Sequence, residues 1–344
     1  MSPFVYQANP ARVVFGAGSL QQLAREIELL GAHRALVLST PEQADAARRV
    51  AEMLGTRAAG VFAEAVMHVP IETAQAARAE ARRLGADCAV AIGGGSTTGL
   101  GKAIALDSAL PIVAIPTTYA GSEMTPIHGI TEAGLKKTGR DPRVLPRTVI
   151  YDPELSLGLP WGLTVTSTIN AIAHAAEGLY AHDGNPIIAL MAEEGIRASA
   201  AALPRLATDA ADLDARGDAL YGAWLCGAVL GAVAMGLHHK LCHTLGGSFN
   251  LPHAEVHTVM QAPEAMQRVA RALGAADAAQ GVFDLAQRHG AAVALKDIGM
   301  PPDGLDRAAE LAVQTPYPNP RPLERKAIRT LLQRAFDGAR PQVA

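Results

Sequence analysis

The sequence predicts an α/β domain built on a parallel sheet, followed by an all-helical domain. Three observations predict this. Short apolar runs of the kind buried on both faces of a sheet alternate with amphipathic stretches through about residue 158. Strand signals stop after Leu159-Pro160, and alanine-rich helical periodicity takes over to the end of the chain. A length of 344 residues suits about two domains. The boundaries read as 1–158 and 159–344.

In the first half, Arg12–Phe15 reads as a strand, followed by Gly16-Ala17-Gly18 and a helix from Ser19 to Leu30. Ala35–Leu38 is the second strand, and Ser39-Thr40-Pro41 turns it into a helix running through Leu54. Val61–Phe62 is a weak third strand. Ile71–Leu84 is a helix stopped by Gly85. Cys88–Ile92 is a continuous apolar strand that runs into Gly93-Gly94-Gly95-Ser96 and a helix over Thr97–Leu106.

A strand, a glycine loop and a helix in that order can cradle a phosphate, because glycine lets the backbone approach and the helix N–H groups face the anion. The loop is neither a Walker loop nor GxGxxG, and the same pattern also serves as a plain tight turn. Support for a nucleotide comes from the next strand, Pro111–Ile115, which ends in the polar loop PTTYAGSE, residues 116–123. Loops at the carboxyl ends of parallel strands are where such sheets bind ligands. The cofactor candidates are therefore Gly93, Gly94, Gly95, Ser96, Thr97, Thr117, Thr118, Tyr119 and Ser122. Lys102 adds charge beside the loop or is a solvated surface lysine; both readings stand. His128–Thr138 reads as a hairpin about Ala133-Gly134, Thr148–Tyr151 as a returning strand, and Asp152-Pro153 as the close of the domain.

Helices follow over Thr164–His182, Pro186–Ala202, Asp218–Gly247, Ala262–Leu273, Ala276–His289, Ala291–Ile298, Gly304–Val313 and Pro322–Phe336. The junction of the two domains is the expected place for an active-site cleft. The stretch Gly236–His257 holds five of the eleven histidines. His239 and His243 share one helical face, Gly246-Gly247 ends that helix, and Pro252 precedes His253. Asn170 and His174 are likewise four apart on one face. Imidazoles so gathered can ligate a metal or move a proton.

Composition narrows the function. A net charge of −3 without a basic block speaks against nucleic acid or an anionic membrane surface as partner. Cys88, Cys226 and Cys242 show no paired spacing, as expected of a reduced cytoplasmic protein. No apolar stretch is long enough for a membrane helix, and the first residues lack the pattern of a signal peptide.

FGAGSL (15–20), GGGST (93–97), PTTYAGSE (116–123), YDPEL (151–155) and HHKLCHTLGG…PH (238–253) together resemble the iron-containing alcohol dehydrogenase superfamily over nearly the whole chain. Within it, GGGSTTGLGKAIAL (93–106), NAIAHAAEGLYA (170–181), MGLHHKLCHTLGGSFNLPHAEVHTV (235–259) and NPRP (319–322) are most similar to the maleylacetate reductases. The resemblance implies a dehydroquinate synthase-like fold and a Rossmann-like NAD(P)-binding first domain. It implies reduction of the carbon–carbon double bond of maleylacetate to 3-oxoadipate by NADH or NADPH, in bacterial breakdown of aromatic compounds. It also implies a homodimer, formed through the edge strand at residues 3–15.

The superfamily's iron ligands are an Asp and three His; here those positions hold Asn170, His174, His239 and His253. A neutral amide is a weak substitute for a carboxylate on a hard divalent ion. Hydride addition beside a carbonyl makes an enolate, which hydrogen-bond donors can stabilise. The expectation is therefore a site without metal, with His174, His239 and His253 as the ligands if one binds. His243 is the expected proton donor, with Tyr317 and Tyr119 as alternatives, among the catalytic candidates His243, His253, His239, His174 and Tyr317. A small dicarboxylate needs cationic or donor groups, for which the candidates are His128, Asn170, His174, His239, Lys240, His243, His253 and Arg321. Ser39-Thr40 stand where an NAD site usually places an acid, so nothing there repels a 2′-phosphate and both cofactors are expected to work. Other readings are a metal-dependent alcohol dehydrogenase, a lyase of the dehydroquinate synthase type, and a non-catalytic NAD-binding protein. The last draws on the short segment after Met260, where family members usually carry a longer stretch.

Overall fold

The computed structural model describes residues 4, 6, 12–133, 135–237, 239–241, 245, 263–314 and 323–342. Six strands form one parallel sheet: β1 (Arg12–Phe15), β2 (Ala35–Leu38), β3 (Ala58–Phe62), β4 (Cys88–Gly93), β5 (Ile112–Pro116) and β8 (Thr148–Tyr151), in the order β1-β8-β5-β4-β2-β3. Two more, β6 (Ile127–Glu132) and β7 (Leu135–Arg140), form an antiparallel hairpin, with Ala133 in the turn at φ 49°. The central register sets Val37 beside Val90 and Val90 beside Val113.

Alternation along these strands sends neighbouring side chains to opposite faces. Val37, Val90, Ile92, Val113 and Ile150 join Leu23, Ile27 and Val50 in one core. Leu36, Leu38, Phe62 and Ala89 join Ala77, Leu100 and Ile104 in another. Helices α1 (Leu23–Leu29), α2 (Ala44–Leu54), α3 (Ile71–Arg83) and α4 (Gly95–Ser108) supply the covering residues.

The chain leaves β2 toward β3 on one side and leaves β4 toward β5 on the other. With right-handed crossovers, this opens a crevice at the carboxyl ends of β2 and β4. The third strand is longer than its apolar signal, because Ala58 and Gly60 pair along β2 without bringing bulk, with Ala59 skipped at a register shift between them. The YDPEL motif proves structural. The buried carboxylate of Asp152 accepts from the backbone N–H groups of Gly18 (3.1 Å), Leu20 (3.0 Å) and Glu154 (3.1 Å), locking FGAGSL to the end of β8.

The chain divides into two compact units. One comprises Asn9–Leu159 with Ala211–Leu220; Pro160–Ala210 and Tyr221–Ala344 belong to the other. Helices α5 (Trp161–Gly178), α6 (Pro186–Thr208), α7 (Leu213–Ala232), α8 (Pro263–Leu273), α9 (Ala278–Arg288), α10 (Gly304–Val313) and α11 (Arg325–Asp337) follow the sheet. Asn185 caps α6 by accepting from Ile187 and Ile188 N–H groups, both at 3.1 Å, with Pro186 in the first turn. Glycines let α6 and α7 approach closely: a Cβ on Gly222 would lie 2.9 Å from the backbone nitrogen of Ser199.

Two helices differ from expectation. The helical stretch expected over Asp218–Gly247 is divided, since α7 ends at Ala232 and Leu237 and His239–Leu241 are helical again. Asp183 holds the break by accepting from the N–H of Ala234. The Ala291–Ile298 helix shrinks to one 3-10 turn at Leu295–Ile298, because Ala294 is extended. Cys88 and Cys226 are buried free thiols, and burial pushes both up to about 12. Among the described residues no helix is long and apolar enough to cross a membrane.

Candidate active site

The glycine loop stands where β4 meets α4. Gly93 has φ +151°, and a Cβ there would lie 2.8 Å from Gln43 Oε1 and clash with the Thr97 hydroxyl. Gly94 caps α4, with a hypothetical Cβ 3.0 Å from Thr118 Oγ1. No side chain occupies that cap, and Gly94, Gly95 and Ser96 retain exposure, so N–H groups and the positive end of a 14-residue helix are presented outward. Thr117 N–H donates to Gly93 carbonyl at 3.1 Å, tying the second polar loop to the first. Gln43 ties in the third, its Nε2 donating to Thr117 Oγ1 at 2.9 Å. Sequence reasoning missed Gln43; its signal was its position just past β2, on the turn already suspected.

Four cofactor candidates sit differently from expectation. Ser39 is buried and its hydroxyl is spent on the carbonyl of Thr40, leaving Thr40 as the half-exposed member of the pair. Thr97 is fully buried, with its hydroxyl lacking a hydrogen-bond partner among the described residues. Tyr119 is turned into the unit, where its hydroxyl accepts from Arg216 Nη1 at 3.2 Å. Lys102 is neither on the surface nor aimed at an anion. Its buried Nζ donates to Ser122 O (2.6 Å), Thr125 O (2.9 Å), Thr125 Oγ1 (2.9 Å) and Ile127 O (2.7 Å), with Ser122 Oγ at 3.3 Å. Burial pulls this ammonium down to about 7, against the opposing pull of the Glu123 carboxylate. Glu123, itself raised by burial, accepts from the Tyr151 hydroxyl at 2.8 Å. These contacts brace the loop that carries Thr117, Thr118 and Ser122. His128, on β6, is held below the usual imidazole range by burial, opposed by Asp141 and reinforced by Lys102; its Nδ1 has no partner among the described residues.

In the helical unit, α5 is buried along nearly its whole length although it is rich in polar residues. The Thr168 hydroxyl returns to the helix by donating to the Thr164 carbonyl at 2.7 Å, but Asn170, His174 and Glu177 point their polar ends elsewhere. His239 stacks on His174 with ring centroids 4.9 Å apart and planes tilted by 33°. Its Nδ1 is hydrogen-bonded to the carboxylate of Glu177, which also accepts from the His239 backbone N–H at 3.4 Å. All four residues are buried. The Asn170 Oδ1 is buried without a hydrogen-bond partner among the described residues. Lys240, half-buried, follows directly in the chain. His243, His253, Tyr317 and Arg321, like Met260, Gln261 and Ala262, lie outside the described residues. Glu177 was missed by sequence reasoning, although a lone acid in the apolar run NAIAHAAEGLYA was a visible signal.

Among the described residues no three of His, Cys, Asp or Glu converge on a point. The donor chemistry nevertheless suits a metal ion. An orphaned amide oxygen lies on the same helix as one of two stacked imidazoles, and the other imidazole is backed by a carboxylate, the usual outer partner of a metal-bound histidine.

Comparisons with known proteins bear on both units. Residues 10–153 match the family model "Iron-containing alcohol dehydrogenase", and residues 164–336 match "Fe-containing alcohol dehydrogenase family, C-terminal". A protein of Burkholderia cepacia named maleylacetate reductase is 68% identical over 351 residues, covering 99% of this chain and 100% of that one. That span exceeds the 344 residues here, so the relative carries residues that this chain lacks. The crystal structure of maleylacetate reductase from Rhizobium sp. strain MTP-10005 is 56% identical, covers 99% of this chain and 100% of its own, and has a TM-score of 0.93. That of an iron-containing alcohol dehydrogenase from Corynebacterium glutamicum is 41% identical, covers 98% of each chain and has a TM-score of 0.92. These matches correct the expectation of a site without metal: the matched family is named for its iron, and the neutral Asn170 does not outweigh that.

Proposed function

This chain belongs to the iron-containing alcohol dehydrogenase family, and on that premise we infer that it reduces the carbon–carbon double bond of maleylacetate to give 3-oxoadipate, using NAD(P)H. The observation that carries this reading is the 68% identity, end to end, with a protein named for that activity.

The outward N–H groups of Gly94, Gly95 and Ser96 bind the cofactor's pyrophosphate, and Thr40, Thr117 and Thr118 offer hydroxyls to its sugars and amide. Reduced nicotinamide supplies a hydride when bound. Ser39 and Thr40, the two residues just past β2, are neutral, and both NADH and NADPH are the proposed cofactors. Asn170, His174 and His239 would hold the metal ion, joined in this proposal by His253; a divalent ion there would supply Lewis-acid chemistry. His128, Lys240 and Arg321 are the proposed groups for the two substrate carboxylates. Hydride addition to one alkene carbon leaves an enolate, and a proton on the neighbouring carbon completes the reduction; His243 is the proposed donor. We also propose a homodimer formed through residues 3–15, whose last four residues are the edge strand β1, and a cytoplasmic location.

The test is NADH and NADPH oxidation with freshly prepared maleylacetate, with 3-oxoadipate quantified and bound metal measured on the same sample. One product per reduced cofactor consumed is the expected result. Oxidation of simple alcohols with NAD without turnover of maleylacetate would instead establish an alcohol dehydrogenase.

A further inference from the structure

We propose that Glu177 is a positioning residue that fixes the tautomer of His239, so that the Nε2 of that ring keeps its lone pair for a ligand-binding role beside Asn170 and His174. The proposal rests on the reading of those three residues as the metal site and adds to it a residue that sequence reasoning left unassigned.

Glu177 is 1% exposed and His239 is 6% exposed, so neither trades its partner freely for water. A buried carboxylate is sustained only by donors. Here His239 provides two, through its ring Nδ1 and through its backbone N–H at 3.4 Å. The double contact fixes more than distance, because the backbone bond anchors the carboxylate to the residue whose ring it orients. An ionised carboxylate only accepts hydrogen bonds, so Nδ1 is the protonated nitrogen. In a neutral imidazole the lone pair is then left on Nε2. The ring is held on its face as well, by His174 at 4.9 Å between centroids. The helical register accounts for the arrangement: Glu177 follows His174 by three residues and Asn170 by seven, so α5 alone supplies the amide, one imidazole and the carboxylate that orients the other. His239 needs this outside help because it lies beyond the break that follows α7.

The substitution that isolates this role is Glu177→Gln. It keeps the size of the side chain, but its amide can donate to Nδ1 and thereby move the ring proton to Nε2. Two readouts test it. In metal-free protein labelled with 15N-histidine, with the His239 resonances assigned by their loss in His239→Gln, the wild-type ring is expected as the Nδ1–H tautomer. The Nε2–H tautomer in the wild type overturns the proposal. Anaerobic equilibrium dialysis against Fe(II) is then expected to show a 10- to 100-fold loss of affinity in Glu177→Gln, with an unchanged far-ultraviolet dichroism spectrum. Equal Fe(II) affinity in variant and wild type also overturns it, while leaving the metal-site reading intact. A wild type that binds no Fe(II) defeats the metal-site reading instead, and the tautomer measurement still decides the role of Glu177. If Glu177→Gln does not fold, the wild-type tautomer alone carries the decision.

Discussion

Replacing Lys102 with Met removes a buried charge while keeping most of the side chain's volume, and its effect on stability should change with pH. The folded ammonium titrates at about 7, against 10.5 for an ordinary lysine, because burial disfavours its charge. Between those values the unfolded chain holds a proton that the folded chain has released, so the wild type gains stability as pH rises. Linkage puts the penalty of burying this amine at roughly 4 kcal/mol at pH 7 and roughly 2 kcal/mol at pH 9. Lys102→Met abolishes the penalty but takes a donor from the carbonyls of Thr125 and Ile127; Ser122 O keeps the Thr125 hydroxyl at 3.1 Å. Two buried carbonyls deprived of a donor cost about 1–3 kcal/mol each. The absolute difference between the proteins is therefore modest at pH 7, and it moves against the variant by about 2 kcal/mol on going to pH 9. Urea unfolding of both proteins at the two pH values measures this. A second effect should accompany it: the loop carrying Thr117, Thr118 and Ser122 loses its brace, so the KM for NADH rises severalfold while kcat changes less. A stability difference that is the same at pH 7 and pH 9 would refute the buried, proton-losing lysine, whatever the kinetics.

Three further outcomes are expected. Gly93→Ala forces a side chain into a left-handed backbone conformation, 2.8 Å from Gln43 Oε1, at the mouth of the cofactor loop. NADH affinity measured by fluorescence titration should fall at least tenfold, or about 1.4 kcal/mol. Asp152→Ala strips the acceptor from three backbone N–H groups, so chemical denaturation should show a loss of about 2–4 kcal/mol, with the FGAGSL turn the first region to gain amide exchange. Asn170→Asp places a carboxylate where the neutral amide oxygen is buried, so Fe(II) should bind at least tenfold more tightly by anaerobic dialysis; unchanged affinity would remove Asn170 from the ligand set.

What the sequence made legible, and what it hid, divides along one physical line. Central strand positions were readable because a strand buried on both faces must be apolar along its length, and Ala35–Leu38 and Cys88–Gly93 lie where the pattern puts them. The glycine loop was readable because it is a demand on backbone space, which only glycine meets. Single charged residues were not, because a sequence names the charge but not its partner. Lys102 stands in GKAIAL, an unbroken small and apolar context, and on periodicity alone it can face solvent, a phosphate or the interior. The five oxygens that take it inward come from residues 20 to 25 positions later, on a loop whose course no local pattern fixes. Glu177 shows the same limit from the other side. Its partner is 62 residues away and lies beyond a helix break that periodicity did not reveal.

The metal question turned on a similar asymmetry. Judged alone, Asn170 is a poor ligand, and a site assessed ligand by ligand loses its metal. Judged with its surroundings, it is a buried amide oxygen without a hydrogen-bond partner among the described residues, on the helix that carries one imidazole and a carboxylate hydrogen-bonded to another. A carboxylate buried behind a histidine costs several kcal/mol to desolvate unless the pairing returns it. An orphaned acceptor costs about 1–3 kcal/mol more. A cation bound at the proposed site would offset both penalties at once: it would satisfy the amide oxygen, and the carboxylate through the polarised imidazole. The neutral residue therefore lowers the charge of the site without removing its reason to bind a cation.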